Sequence, residues 1–372
     1  MTQPEALQTP VYRTATGRVY NFSAGPAVLP EPVLLEVKEE LPVYRNLGTS
    51  ILEISHRSPE YAEIDASAKA LLRKLLGLGE AWHVLFLQGG ASLQFHQVPL
   101  NFLPKDGSAD YLITGSWAKK AYKEAQFLGN ARVAASSEDR NFSYIPDPST
   151  WDLDPKAAYL HFTSNNTIYG TQFQTEPEAE VPLVCDASSD FLSRRITPER
   201  YGLIYAGAQK NVGPAGVTVV LIRDDFLQRR NQPLPTMLDY GTHAGKIFNT
   251  PPVFAVYIVE KVLRWLEGLG GLPAIEAIND RKAALLYERI DRTEFYRGTA
   301  EPGARSKMNV TFRLPSEELE QRFVEEAKQA GLIGLKGHRS VGGLRASIYN
   351  ACPIEAVEAL VSFMDYFEQR YG

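Results

Sequence analysis

Cysteine is nearly absent from this chain: Cys185 and Cys352 are the only two in 372 residues. They form no CxxC pair and cannot build a disulfide framework, so a reducing, cytoplasmic setting is expected. The six histidines include no HExxH and no tight cluster, and no metal site is expected. No run of 18 apolar residues occurs, which excludes a spanning helix. The first residues (MTQPEALQTP) lack an apolar stretch and carry Pro4, Glu5 and Pro10, so neither a signal peptide nor a transit peptide is expected. Positive charge is not in excess either. Lys and Arg number 39 against 44 Asp and Glu, a formal charge of -5. Such a balance gives no field to draw the molecule to nucleic acid or an anionic membrane. It leaves room for a locally basic pocket that takes a small anion. Neither GxxxxGK[ST] nor GxGxxG is present, which disfavours P-loop nucleotides and dinucleotides.

What is present reads as a soluble globular protein, with 44% apolar and 22% charged residues. The length suits two domains. Residues 1–18 read as a loose N-terminal arm. Apolar residues at helical spacing mark helices from Pro30 to Leu41 and from Ile64 to Leu76, the second closed by Gly77. Six short apolar runs then alternate with helical stretches: 83–87, 110–114, 157–162, 181–186, 203–206 and 216–222. They are apolar almost throughout, which predicts a mostly parallel sheet covered on both faces. A long helix over 254–269 ends in Gly268, Gly270 and Gly271, the expected hinge. Beyond it helix, strand, helix, strand and helix follow. The expected organisation is an α/β domain over 19–270, whose first residues pack with the second domain, and a small α+β domain over 271–372.

Open parallel sheets bind ligands at the carboxyl ends of their strands. The residues just after the predicted strands are Gly89-Gly90-Ala91-Ser92, Gly115-Ser116-Trp117, Thr163 to Thr167, Asp186 and Gln209-Lys210. The glycine turn at a helix start offers free N–H groups to a phosphate, and serves equally as an ordinary tight turn. Asp186 ends an apolar strand and needs a cationic or proton-donating partner. A protonated pyridine nitrogen, a structural Arg or a helix cap would each suit it. Lys119, Lys120 and Lys123 read as lysines of a solvated helix face. Lys210 differs, because it lies in a loop of small residues, Ala-Gly-Ala-Gln-Lys-Asn-Val-Gly. Desolvation there lowers an amine's pKa and makes it a nucleophile. A phosphate turn, an acid at one strand end and a lysine after the next are what pyridoxal phosphate requires. Trp117 could stack on its ring or serve as a core aromatic, and Thr167 could bond its phenolic oxygen.

Several segments together resemble the phosphoserine aminotransferase family of class-V aminotransferases. They are Asn21-Phe22-Ser23-Ala24-Gly25-Pro26-Ala27, Gly48-Thr49-Ser50, Ile54-Ser55-His56-Arg57 and Gln88 to Phe95. Tyr205 to Asn211, Phe248-Asn249-Thr250-Pro251-Pro252 and Gly337 to Ser347 complete the set. The match runs from about Tyr20 to the C-terminus in the family's order. It implies a fold-type-I, pyridoxal-phosphate-dependent homodimer with a composite site. Lys210 would bond the cofactor aldehyde and Asp186 would pair with the pyridinium. Trp117 would stack, Thr167 would meet the ring hydroxyl, and Ala91, Ser92 and Gln209 would lie at the phosphate. Asn249 and Thr250 would reach that phosphate from the neighbouring subunit. His56, Arg57, His338 and Arg339 would hold the distal anionic group of the substrates, and Arg345 the α-carboxylate. Ser92 stands where some members carry Arg, and the arm before Tyr20 is longer than usual. The implied reaction exchanges the amino group between L-glutamate and 3-phosphohydroxypyruvate, giving O-phospho-L-serine and 2-oxoglutarate, with 4-phosphohydroxythreonine as a possible second substrate. The rival expectations are an alanine– or serine–glyoxylate aminotransferase, or an idle pyridoxal-phosphate-binding scaffold.

Overall fold

Seven strands form the central sheet of the computed structural model, which describes residues 10–372. They are β1 (Trp82–Leu87), β2 (Ser108–Ile113), β3 (Asn130–Ser136), β4 (Leu160–Thr163), β5 (Leu183–Asp186), β6 (Tyr201–Gly207) and β7 (Thr218–Arg223). Their spatial order is β1-β7-β6-β5-β4-β2-β3. Strand β7 runs antiparallel to both its neighbours, and every other pairing is parallel. Two opposed faces explain the unbroken apolar runs. Val219 and Leu221 pack in the core that holds Leu72 and Val259, from the helices Pro59–Leu76 and Val253–Gly268. Val220 and Ile222 point the other way, into the core of Val98 and Ala121 from the helices Gly90–Phe102 and Ser116–Gln126.

A second core is built on a three-stranded sheet, Arg297–Gly298, Asn309–Arg313 and Leu344–Ser347, with the helices Glu317–Gln329 and Ile354–Tyr371. Tyr20–Asn21 pairs in parallel with Leu332–Ile333, and Phe22 is buried in this core. The expected hinge glycines form a tight turn between the helices Val253–Gly268 and Gly271–Asp291. The change of core comes later, inside the second of these helices. Leu272 and Ile275 belong to the sheet's core, whereas Ala283 and Leu286 belong to the second. The arm also differs from expectation. Residues 1–9 lie outside the described residues, but Tyr12 donates its N–H to the Ala330 carbonyl at 2.7 Å and packs on the second core. Apolar contact and a backbone bond, neither visible locally, hold it there. No helix among the described residues is long and apolar enough to cross a membrane, and no His/Cys/Asp/Glu cluster suited to a metal occurs among them.

Candidate active site

Strands β4, β5 and β6 are in register at their carboxyl ends, with Thr163 opposite Asp186 and Asp186 opposite Tyr205. The loops beyond them therefore leave one edge of the sheet. Asp186 is buried, at 4% exposure. Its Oδ1 accepts from the Ser188 N–H at 3.0 Å and the Ser188 hydroxyl at 2.6 Å. The Ser188 hydroxyl in turn accepts from Gly207 N–H. Oδ2 has no hydrogen-bond partner among the described residues. Burial raises the Asp186 pKa above the ordinary carboxylate value, against the pull of Lys210 and Ser188.

Lys210 reaches back over this edge. Its Nζ donates to Thr167 Oγ1 at 2.7 Å and to Ser189 Oγ at 3.0 Å. Desolvation lowers its pKa to about 8, despite the opposing attraction of Asp186. The sign follows: the neutral amine is the major form above about pH 8, where an exposed lysine is still charged. In the cofactor-free chain, acylation of Lys210 is expected to reach half its limiting rate near pH 8, measured by peptide mapping across pH. A midpoint above 10 would contradict the burial argument. The Gly25 backbone covers the stem of Lys210 closely, since a Cβ built there would lie 3.4 Å from Lys210 Cγ.

The glycine turn has the predicted form. Gly89 (φ 90°) and Gly90 (φ 64°) are both left-handed, and a Cβ on Gly89 would stand 2.6 Å from Leu93. No side chain caps the helix that starts there, so its first N–H groups, at Ala91 and Ser92, are free for an anion. The Gln209 side chain folds back over Gly207, where an added Cβ would meet its Oε1 at 2.9 Å. Gly115 is equally required, because a Cβ there would lie 2.4 Å from Asn166 Oδ1. It lets the Ser116–Gln126 helix begin against Asn166 and present Trp117, whose ring centre is 5.6 Å from Lys210 Nζ.

Cations gather on the outer side. Arg345 Nη1 donates to the Thr167 carbonyl at 3.2 Å, while its Nε is buried without a partner. His338 binds Ser340 through Nδ1 at 2.7 Å. Burial, then the charges of Arg345, Arg339 and Lys120, lower its pKa. No ion pair is formed by Lys120, His338, Arg339 or Arg345 among the described residues. Lys120 is exposed, as expected of a helix-face lysine, and its Nζ lies 4.3 Å from the Trp117 ring centre, beside the basic cluster. Lys119, by contrast, pairs with Glu138 on the surface.

Not every expected residue arrives. Arg57 is exposed and His56 half-buried, and among the described residues no hydrogen bond or ion pair joins either to this cluster. Asn249 and Thr250 lie beside their own chain's glycine turn, where the Thr250 carbonyl accepts from Gln88 Nε2 at 2.9 Å and Asn249 Nδ2 is 3.4 Å from Gln88 Oε1. Sequence reasoning missed Ser188 and Ser189, the partners of Asp186 and Lys210. The Ser188-Ser189 pair directly after Asp186 was the available signal, since hydroxyls beside a buried carboxylate usually bond it or its partner.

The pattern of the aminotransferase class-V family matches residues 19–360. The chain belongs to the class-V aminotransferases. A phosphoserine aminotransferase of Lysinibacillus sphaericus is 52% identical over 360 residues, covering 96% of this chain and 99% of its own. The solved phosphoserine aminotransferase of Bacillus circulans subsp. alkalophilus superposes with a TM-score of 0.93 at 51% identity, over 95% of this chain and 99% of that one. The pyridoxal-phosphate-bound enzyme of Trichomonas vaginalis gives 0.89 at 41% identity, over 94% and 100%. This class-V aminotransferase uses pyridoxal phosphate, and its residues fit that group. Asp186 Oδ2 is free for a pyridinium N–H. The uncapped helix end is free for a phosphate, and Lys210 is a desolvated amine within electrostatic reach of Asp186.

Proposed function

We propose that this class-V aminotransferase is a phosphoserine aminotransferase, exchanging the amino group between L-glutamate and 3-phosphohydroxypyruvate. The observation that carries the substrate reading is the basic cluster of Lys120, His338, Arg339 and Arg345 beside Lys210, without acidic partners, in a chain of net charge -5. A carboxylate needs one guanidinium fork; a substrate with a distal phosphate needs further cations. Arg345, with its unpartnered Nε, takes the α-carboxylate. His338 and Arg339 take the distal group, which is a phosphate in one substrate and a carboxylate in glutamate.

Bound pyridoxal phosphate supplies an aldehyde for the amino group and an electron-accepting ring. Ala91, Ser92 and Gln209 would hold its phosphate, Trp117 would pack on its ring, Thr167 would bond its hydroxyl, and Asp186 Oδ2 would keep its ring nitrogen protonated. Lys210 Nζ would take the proton from the substrate's Cα and later give one back. A glyoxylate-type aminotransferase would have no use for His338 and Arg339, and an idle scaffold no use for a lysine with its pKa lowered to about 8.

The specificity claim is tested with Arg339→Ala. Its kcat/KM for O-phosphoserine is expected to fall about 10²–10³-fold, the loss of a charge-assisted contact at ~3–4 kcal/mol. Activity on alanine or unphosphorylated serine should change little. Equal losses for both kinds of amino acid would turn the reading toward the glyoxylate enzymes.

We propose further that the enzyme is a cytoplasmic homodimer. Supporting this, Leu41, Val43, Leu47 and Leu52 are exposed, as are Met237, Ile247 and Phe248 beside Asn249, and exposed apolar residues that cluster mark association surfaces. A second copy laid on it would supply His56 and Arg57, and bring Asn249 and Thr250 to the phosphate of the facing subunit. Light scattering should give twice the chain mass, and Asn249→Ala should weaken cofactor binding. A fully active monomer would contradict the proposal.

A further inference from the structure

The loop that carries His338 and Arg339, residues 337–343, has few attachments. Its ends meet where the Gly337 N–H donates to the Gly343 carbonyl at 2.8 Å. Inside it, the His338 carbonyl accepts from the N–H groups of Val341 and Gly342 at 3.0 and 2.9 Å, and His338 Nδ1 is bonded to Ser340. Among the described residues, one hydrogen bond enters the loop from outside: Arg313 Nη1 donates to the Val341 carbonyl at 3.2 Å. The loop also rests closely on that side chain. Gly343, at a left-handed φ of 67°, crosses the Arg313 stem so nearly that an added Cβ would stand 2.5 Å from Arg313 Cδ.

Arg313 is itself aimed from behind. It ends the strand Asn309–Arg313, and its Nε donates to Oε1 of Glu320, a buried residue in the first turn of the helix Glu317–Gln329. A guanidinium is a rigid planar fork, so fixing Nε also fixes the direction of Nη1. Its charge is met by Glu320, unlike those of Arg339 and Arg345. We infer that Arg313, set by Glu320, is a positioning residue for specificity: it holds the loop so that His338 and Arg339 meet the distal anionic group of the substrate, and it does not touch the substrate itself. The link is short. Val341, which Arg313 grips through its carbonyl, is the residue whose N–H ties back to His338. Glycines at 337, 342 and 343 flank the tip and leave it free to swing once the strut is gone. Binding would then bear the cost of ordering it. This inference rests on the assignment of His338 and Arg339 to the distal group.

The test uses the full chain loaded with pyridoxal phosphate and assayed with O-phosphoserine and with alanine. The variants are Arg313→Met, Arg313→Lys, Glu320→Gln, Arg339→Ala and the double variant Arg313→Met with Arg339→Ala. Arg313→Met is expected to lower kcat/KM for O-phosphoserine roughly tenfold to a hundredfold, the scale of a misplaced binding group, mostly through KM. With alanine, which has no distal anion, the change should stay within about threefold. Arg313→Lys keeps a cation for Glu320 but loses the fork. It should share the selective loss while melting near the parent, even where Arg313→Met leaves Glu320 buried without a partner and unfolds. Glu320→Gln keeps the Arg313 charge and loosens its aim. A smaller loss, again confined to O-phosphoserine, is expected, whereas a direct contact between Arg313 and the anion would survive this change. Once Arg339 is gone the loop has less to position, so adding Arg313→Met to Arg339→Ala should cost no more than about threefold further. Fully additive losses, or Arg313→Lys and Glu320→Gln variants that keep parental activity on O-phosphoserine or lose both amino acids equally, would overturn the inference. If Arg339→Ala affected both amino acids equally, the substrate reading itself would fail. If Arg339→Ala were selective and the Arg313 and Glu320 variants were not, only the positioning role would fail.

Discussion

Lys210→Ala is expected to lower transamination about 10⁴-fold or more while the chain still folds and binds pyridoxal phosphate. Positioned acid–base catalysis alone is worth about 10²–10⁴, and the same amine also carries the covalent exchange. The site offers no substitute. Lys120 is exposed on the Trp117 ring, 4.3 Å from its centre. Lys282 is fully buried on the carbonyls of Ile348, Tyr349 and Cys352. Steady-state turnover with O-phosphoserine, alongside a cofactor-binding titration, checks the prediction. A rate within tenfold of the parent enzyme would show that another group moves the proton.

Asp186→Asn comes second. Removing one partner of a buried charge pair costs about 3–5 kcal/mol, so activity and cofactor affinity together should fall about 10²–10³-fold. The stripped chain should respond the other way. Burial raises the folded-state pKa of Asp186, so folding favours its protonated form. Its ionised form is therefore a cost to stability that grows as pH rises above the ordinary carboxylate value. Asparagine removes that cost. The cofactor-free variant should melt no lower than the parent at pH 7, while the loaded variant melts lower than the loaded parent. A variant that destabilises both forms equally would assign Asp186 a structural role.

The residues proposed to carry the chemistry were legible where they stand at the ends of strands. Lys210, Thr167 and Trp117 each follow a strand and Asp186 ends one, and strand ends can be read from apolar runs. Strand β3 was not legible. It lies at the sheet's edge with most of its residues part-exposed, and Asn-Ala-Arg-Val-Ala-Ala-Ser offers few of the β-branched and aromatic residues that mark strands. The antiparallel course of β7 was hidden for another reason. A strand buried on both faces looks alike in either direction, and only its partners, Phe86 and Ala206 opposite Val219, decide it. Lys120 is exposed, as its helix face suggested, but its contact with the Trp117 ring three residues earlier is not announced by the local pattern. Tyr349 and Ala24 are 325 positions apart. Their bond depends on the pairing of Tyr20–Asn21 with Leu332–Ile333, and no local pattern announces such a pairing.

The central claim is that a lysine at a strand end and a basic cluster beside it together process a phosphorylated amino acid. The visible absorption of the purified, cofactor-loaded enzyme tests it most directly, recorded before and after O-phosphoserine, alanine and serine are added at equal concentration. The predicted result is a yellow protein whose visible band is bleached by O-phosphoserine and far less by alanine or serine. A chain that stays colourless with added pyridoxal phosphate, or one bleached equally by all three amino acids, would contradict it.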